Sequence, residues 1–133
     1  MAKDYRKWQK EKTRINLRNP PFFYEREVWW CTLGKNVGHE QDGGDIFFTR
    51  PVVILTKFNL NLCLVVPLTK KRREGRYYFF IGPIQNRNAV AILSQIRIID
   101  SRRLSFKITT LPTKDYEGLV LKVVRICFPQ VGL

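Results

Sequence analysis

The sequence is poor in the residues that usually build metal centres and disulfide frameworks. Its 133 residues include a single histidine, His39, and three widely spaced cysteines, Cys31, Cys63 and Cys127, with no Cys-x-x-Cys pair. This arrangement favours neither a zinc cage nor a set of disulfides. Each cysteine stands among apolar neighbours, so we expect all three to be small buried hydrophobes. We predict no metal site and no cofactor.

Long apolar segments are also lacking. The longest run, residues 62–68, contains Pro67 and is far shorter than the roughly 20 residues that a membrane-spanning helix needs. The basic N-terminus is followed by polar residues, whereas a signal peptide continues with an apolar region. We therefore expect a cytoplasmic protein that does not use a membrane.

Acidic residues are few, with 11 Asp and Glu against 24 Lys and Arg, and the formal net charge is +13. Such a charge attracts polyanions, whether nucleic acids, acidic protein segments or anionic lipids. The hydrophobic share of 44% is sufficient for one domain with a real core and excludes disorder over most of the chain.

The first 18 residues carry seven basic and two acidic side chains, a net charge of +5. Tyr5, Trp8 and Ile15 recur at near-helical spacing, and Pro20 and Pro21 end the helix that this spacing predicts. We predict a basic N-terminal arm over residues 1–22 and a second domain over residues 23–133. The helix is either a solvated element packed on the domain or an arm that grips RNA or a protein partner.

The remainder has the pattern of short β-strands followed by one amphipathic helix. Strands are predicted over residues 27–33, 51–56, 62–66, 76–81, 89–93, 96–99 and 106–108, with a polar loop over 34–49 and a capped turn at 100–103. The final helix opens at Thr113 and presents one apolar face that ends at Cys127. The fold class is mainly β: a small, curved antiparallel barrel with a C-terminal helix.

Polar residues stand where these strands end. Glu40 and His39 lie in the long loop, Arg50 precedes the second strand and Thr69 follows the third. A carboxylate, an imidazole, a guanidinium and a hydroxyl in one basic cleft would bind a phosphodiester and activate a neighbouring hydroxyl without a metal. A surface loop with an incidental Glu–Arg pair is the alternative interpretation.

Five blocks of the sequence resemble the PemK/MazF toxin family in order and spacing. They are EVWWCTL (27–33), GHEQ (38–41), RPVVI (50–54), PLT (67–69), and LSQIRIID with the following RL (93–104). The resemblance covers about residues 24–128. It implies a homodimeric, metal-independent endoribonuclease that cuts single-stranded RNA, a barrel shared with the CcdB gyrase poisons, and a cognate antitoxin with an acidic tail.

The resemblance also implies roles for individual residues. Arg50 would stabilise the pentavalent phosphate, Thr69 would hold the scissile phosphate, and Glu40 would position Arg50 or the attacking 2′-hydroxyl. Gln95 and Arg97 would lie at the floor and rim of the RNA groove. An arginine is a poor base at its usual pKa, so we expect Arg50 to act through its charge.

Several residues depart from the family pattern. His39 replaces a small residue, and its imidazole would share the acid–base work or be a bystander. Lys70 stands where many relatives have a second hydroxyl, and Ser94 where some have an acid. Phe47 and Phe48 lengthen the loop and would stack on bases, plug the barrel mouth or meet a dimer partner.

The segment after Thr69 is the most basic in the chain. It is either a surface that binds phosphates or a solvated hairpin turn. Its basic side chains are Lys70, Lys71, Arg72, Arg73 and Arg76. A non-catalytic binder, such as a CcdB-like gyrase poison, is the alternative to a nuclease for the whole protein.

Overall fold

The computed structural model describes residues 3–44 and 48–132. Within those ranges the elements are α1 (Tyr5–Asn16), β1 (Glu27–Thr32), β2 (Thr49–Lys57), β3 (Leu62–Thr69), β4 (Tyr78–Ile84), β5 (Arg87–Ile92), β6 (Arg97–Asp100), β7 (Leu104–Thr110) and α2 (Thr113–Cys127). Short 3₁₀ turns cover Leu93–Gln95 and Ser101–Arg103. The strands pair antiparallel in the order β4-β5-β3-β2-β1-β7, with β6 beside β3. The predicted curved antiparallel sheet with a C-terminal helix is confirmed.

Strand β3 is the point at which the sheet curls. One edge of β3 pairs with β2, whereas its other edge is shared by β6 at residues 62–65 and by β5 at Leu68 and Thr69. Two strands that leave the same edge in succession cannot stay in one plane, so the sheet closes into a half-barrel. The strand runs three residues past its predicted end, which places Thr69 on the sheet instead of in a loop.

Both faces of the central strands are apolar. Val53 and Leu55 of β2 belong to one cluster with Leu119 and Val123 of α2. The intervening Val52 and Ile54 point to a second cluster on the opposite face, with residues of β1, β3, β6 and β7. The two clusters explain why β2 is a continuous buried run instead of an alternating one.

Helix α2 begins at Thr113 as predicted, and the middle of its apolar face is buried. Its last residue, Cys127, is exposed, so the expectation that all three cysteines are buried is wrong for this one. The buried residues of α2 are Leu119 and Val123, and Cys127 lies a turn beyond Val123. Cys31 and Cys63 are buried as expected, and burial raises the pKa of each thiol to about 12.

Helix α1 packs on the barrel through Trp8 and Ile15, each 6% exposed. The Trp8 ring lies 5.6 Å from that of Phe48, and the Arg103 guanidinium lies 5.5 Å from the Trp8 ring. A Cβ at Gly34 would fall 2.2 Å from Trp8 Cε2, so this contact requires glycine there. The apolar face of α1 is packed on the domain, as in the first of the two alternatives for this helix. The boundary between arm and domain at residue 22 stays a prediction.

The fourth strand differs most from its predicted range. The Tyr78 N–H closes a turn on the Gly75 carbonyl at 3.2 Å, so β4 begins at Tyr78 and extends to Ile84. Gln85 and Asn86, with φ of 52° and 63°, then form the tight turn into β5. No helix in the described ranges is long and apolar enough to span a bilayer.

Replacement of Leu119 by alanine tests the packing of α2. Leu119 is fully buried, so Leu119→Ala is expected to lower the free energy of unfolding by about 3 kcal/mol. Leu121→Ala on the exposed side of the same helix is the matched control, with an expected change below about 0.5 kcal/mol. Urea unfolding followed by circular dichroism measures both, and equal losses would contradict the packing described here.

Candidate functional site

A basic groove of about 1150 Å³ opens beside the start of β2 and the end of β3. Its described lining contains five Lys and Arg side chains and no Asp or Glu. The charged and polar members are His39, Gln41, Thr49, Arg50, Thr69, Lys70, Lys71, Arg73, Tyr78, Gln85, Arg87, Asn88, Ser94 and Gln95. A lining of this kind favours an anionic ligand with hydrogen-bond acceptors.

Arg50 is held against the groove by two backbone carbonyls. Its Nε donates to the Asp42 carbonyl at 3.1 Å and its Nη1 to the Leu68 carbonyl at 3.2 Å. Burial lowers the pKa of the guanidinium, and the nearby Asp42 charge acts in the opposite direction. Arginine remains protonated at all ordinary pH values, so Arg50 is a fixed positive charge in the groove.

Thr69 is the last residue of β3 and pairs with Val90 of β5. Its Oγ1 accepts the Lys71 N–H at 3.2 Å, which bends the chain directly into the basic run. Lys70, Lys71 and Arg73 line the groove, whereas Arg72 and Arg76 do not. The Arg76 guanidinium instead lies 5.1 Å from the Tyr77 ring.

The basic run is not a hairpin turn. Strands β3 and β4 do not pair with each other, because β5 lies between them. Residues 70–77 are all exposed and cross from one strand to the other along the side of the groove.

The loop after β1 lies against the 3₁₀ turn that contains Gln95. The Gln95 side chain accepts the Gln41 N–H at 3.1 Å and donates to the His39 carbonyl at 3.2 Å. A smaller depression of about 510 Å³ adjoins the groove here and shares these three residues with it. Glu40 and Arg97 line this depression and not the groove.

The described contacts do not connect Glu40 with Arg50. The Glu40 Oε1 accepts the Val37 N–H at 2.9 Å and closes a local turn. The acidic residue of this loop that contacts Arg50 is Asp42, through its carbonyl and through the charge of its carboxylate. The site therefore groups His39, Arg50 and Thr69 in one groove and leaves Glu40 beside it.

One expectation for the aromatic residues also changes. Phe48 is 5% exposed beneath Trp8, so it is not available to stack on a nucleic-acid base. Phe47 lies outside the described residues. Trp29 is buried, whereas its neighbour Trp30 lines the groove and contacts Phe106 at a ring separation of 6.3 Å.

Three residues of this site were missed in the sequence. Asp42 and Asn36 bind each other across the loop, with the Asn36 N–H 2.6 Å from Asp42 Oδ1. An Asp directly before two glycines is a turn signal, but its contact with Arg50 has no local signature. Arg87, the first residue of β5, enters the groove because β5 pairs with the end of β3, where Val90 lies opposite Thr69.

In the described part of the chain, no three His, Cys, Asp or Glu side chains are grouped closely enough to hold a metal ion.

Comparisons with known proteins agree with this fold. Residues 24–127 match the sequence profile of a family described as PemK-like, MazF-like toxins of type II toxin–antitoxin systems. A solved structure of MazF from Deinococcus radiodurans is similar, with 19% identity, a TM-score of 0.64, and coverage of 83% of this chain and 98% of that one. A comparison with curated protein sequences gives no significant match.

Two mycobacterial structures are also similar. One is an endoribonuclease in complex with its cognate antitoxin, with 12% identity, a TM-score of 0.60, and coverage of 84% of this chain and all of that one. The other is the Mycobacterium tuberculosis toxin MazF-mt6, with 19% identity, a TM-score of 0.56, and coverage of 75% and 94%. At these identities the likeness shows the fold, and α1 lies outside the residues that match the family profile.

Proposed function

Because the chain belongs to the PemK-like, MazF-like toxin family of type II toxin–antitoxin systems, we propose that it is a metal-independent, sequence-selective endoribonuclease for single-stranded RNA. The observation that carries the proposal is the placement of Arg50 and Thr69 together in a groove lined by basic side chains. A permanent cation beside a hydroxyl donor suits a phosphodiester whose negative charge grows during reaction.

The proposed reaction is an internal transfer at phosphorus. The 2′-hydroxyl oxygen attacks the adjacent phosphorus, the bond to the 5′-oxygen breaks, and a cyclic phosphate and a free 5′-hydroxyl result. Arg50 offsets the charge that builds on the non-bridging oxygens, and the Thr69 hydroxyl donates to one of them. One proton must leave the 2′-oxygen and one must reach the 5′-oxygen.

His39 and Glu40 are the candidates for these proton transfers. His39 lines the same groove as Arg50 and Thr69, and an imidazole exchanges protons near neutral pH. Glu40 lines the neighbouring depression and its carboxylate is engaged with the Val37 N–H. We assign both proton transfers to His39, which would take the proton from the 2′-oxygen and deliver one to the 5′-oxygen, and we assign a supporting role in the loop to Glu40.

The rest of the basic lining would bind the RNA strand on either side of the cleaved bond. Lys70, Lys71 and Arg73 lie in the groove next to Thr69, and Arg72 and Arg76 extend the same exposed segment. Gln95 and Arg97 would contact the strand at the adjoining depression. An acidic segment of a cognate antitoxin, the second partner that we propose, would compete with RNA for this positive surface.

We also propose a homodimer. Exposed apolar side chains gather at the β2–β3 turn and on the paired strand β6: Phe58 (52%), Leu60 (44%), Leu62 (41%) and Ile98 (58%). Such a patch on a small domain marks an interface, because contact with a second copy removes it from water.

Cleavage of a single-stranded RNA in the presence of EDTA is the test of the nuclease. Arg50→Ala is expected to lower the rate by about a hundredfold or more, since it removes the charge that stabilises the transition state. Arg125→Ala removes an exposed arginine of α2 and should leave the rate unchanged. Full cleavage by the Arg50→Ala protein would overturn the site, and inhibition of DNA gyrase without RNA cleavage would favour the gyrase poison.

The salt dependence of RNA binding tests the basic lining. Each of Lys70→Gln, Lys71→Gln and Arg73→Gln should reduce the slope of log affinity against log salt by about 0.7, because one phosphate contact is lost. The control Lys114→Gln, at an exposed position of α2, should keep the wild-type slope. A poly-glutamate peptide should displace RNA from the wild-type protein, and failure to compete would argue against a shared anion site.

Light scattering on the pure protein tests the dimer. The chain has a mass of 15.8 kDa, so a dimer has twice that mass. Ile98→Asp should weaken the dimer by about tenfold or more, because it places a charge in the apolar patch. Leu17→Asp, at an exposed position after α1, is the control. An unchanged dimer in the Ile98 variant would place the interface elsewhere.

A further inference from the structure

The loop over residues 34–44 supplies His39 and Gln41 to the groove and the carbonyl that binds Arg50. One side of this loop is fixed by Gln95, as described above. The other side is contacted by the N-terminal segment, which the family match at residues 24–127 does not include. This second contact has no role in the function proposed so far.

Lys3 makes the closest of these contacts. Its ammonium group lies 3.0 Å from Asp42 Oδ2 and donates to the carbonyls of Asn36 and Gly38, the latter at 3.1 Å. Tyr5 adds a bond from its hydroxyl to the Asn36 carbonyl at 3.2 Å. Two side chains from the N-terminal segment thus engage the loop at three points.

Asn36 and Asp42 connect Lys3 to the residues of the groove. The Asn36 N–H binds Asp42 Oδ1, and the Asn36 side chain donates to the carbonyls of Leu33 and Gln41 at 3.0 and 2.8 Å. The Asp42 carbonyl in turn accepts from Arg50. Lys3 and Arg50 therefore bind the two ends of one residue, Asp42, through its carboxylate and its carbonyl.

The segment that carries Lys3 is itself firmly seated. Trp8 packs on Phe48 and leaves no room for a side chain at Gly34, the first residue of the loop. At the other end of α1, Arg102 Nη1 donates to the Asn16 carbonyl at 3.0 Å while its guanidinium is paired with Asp100 at 2.8 Å. A helix fixed near its start and at its end can hold Lys3 in a constant position.

We propose that α1 and the residue before its cap form a brace for the active-site loop, and that Lys3 is a positioning residue that acts on Arg50 through Asp42. The inference rests on the proposed nuclease function, since Arg50 is the group that is positioned. Lys3 itself does not line the groove, so its effect is on the reaction geometry and not on RNA affinity.

The kinetic test compares Lys3→Ala with Lys10→Ala, which removes the same charge from an exposed position of α1. Lys3→Ala should lower kcat by about tenfold with KM within about twofold, because a misplaced group affects the chemical step. Lys10→Ala should keep the wild-type kcat, and Lys3→Arg should restore most of it. A wild-type kcat for Lys3→Ala, or an equal loss for Lys10→Ala, would overturn the proposal.

A double-mutant cycle identifies the partner. Asp42→Asn removes the carboxylate charge but keeps an oxygen for the Asn36 N–H. If Lys3 acts through Asp42, the double variant should be no slower than the slower single variant, whereas independent effects would multiply.

A readout without catalysis separates the brace from the nuclease. Amide hydrogen exchange in residues 36–42 should quicken in Lys3→Ala and remain at the wild-type rate in Lys10→Ala. If the wild-type protein cleaves no RNA, the function fails while this comparison still tests the brace. Unchanged exchange in Lys3→Ala would reject the brace even if the wild type is an active nuclease.

Discussion

Arg50 carries a full positive charge in a half-buried position on β2, and a charge out of bulk water must be compensated there. The structure compensates it with the carbonyls of Asp42 and Leu68, which come from the loop before β2 and from β3. Three separate parts of the chain thus converge on one guanidinium. The half-barrel, the loop and the end of β3 all have to be in place for this charge to face the groove.

This arrangement concentrates part of the +13 net charge in one groove. Five of the 24 basic side chains line one groove whose described lining contains no Asp or Glu, so their fields add there, with only the Asp42 charge near Arg50 opposing them. The basic side chains of α1 lie on a separate surface, because the apolar face of this helix packs on the barrel. The same focused field attracts any flexible polyanion, so the two proposed partners, RNA and an acidic protein segment, would compete for one surface.

Much of the fold follows from local patterns. Strand β1 and helix α2 follow from their own residue patterns, and the capped turn predicted at residues 100–103 has Asp100 as its cap, whose carboxylate accepts the Arg102 N–H. The strand-end positions and the family resemblance both indicate Arg50 and Thr69, and both residues line the groove. The contacts of Asp42 with Lys3 and Arg50 were not foreseen, because they join residues that only the fold makes neighbours. The burial of Phe48 beneath Trp8 and the exposure of Cys127 could not be predicted for the same reason, because they depend on what α1 covers and where α2 ends.

The brace also limits how a partner can use the groove. A ligand that leaves the loop in place must fit the space that His39, Gln41 and Gln95 define, whereas one that moves the loop must break the Gln95 bonds and the Lys3–Asp42 pair. A partly exposed ion pair of this kind contributes at most about 1 kcal/mol, so Lys3 alone does not resist displacement. The resistance comes from Trp8, whose burial against Phe48 and Gly34 ties the start of the loop to α1. Lys3 directs the loop, and Trp8 anchors it.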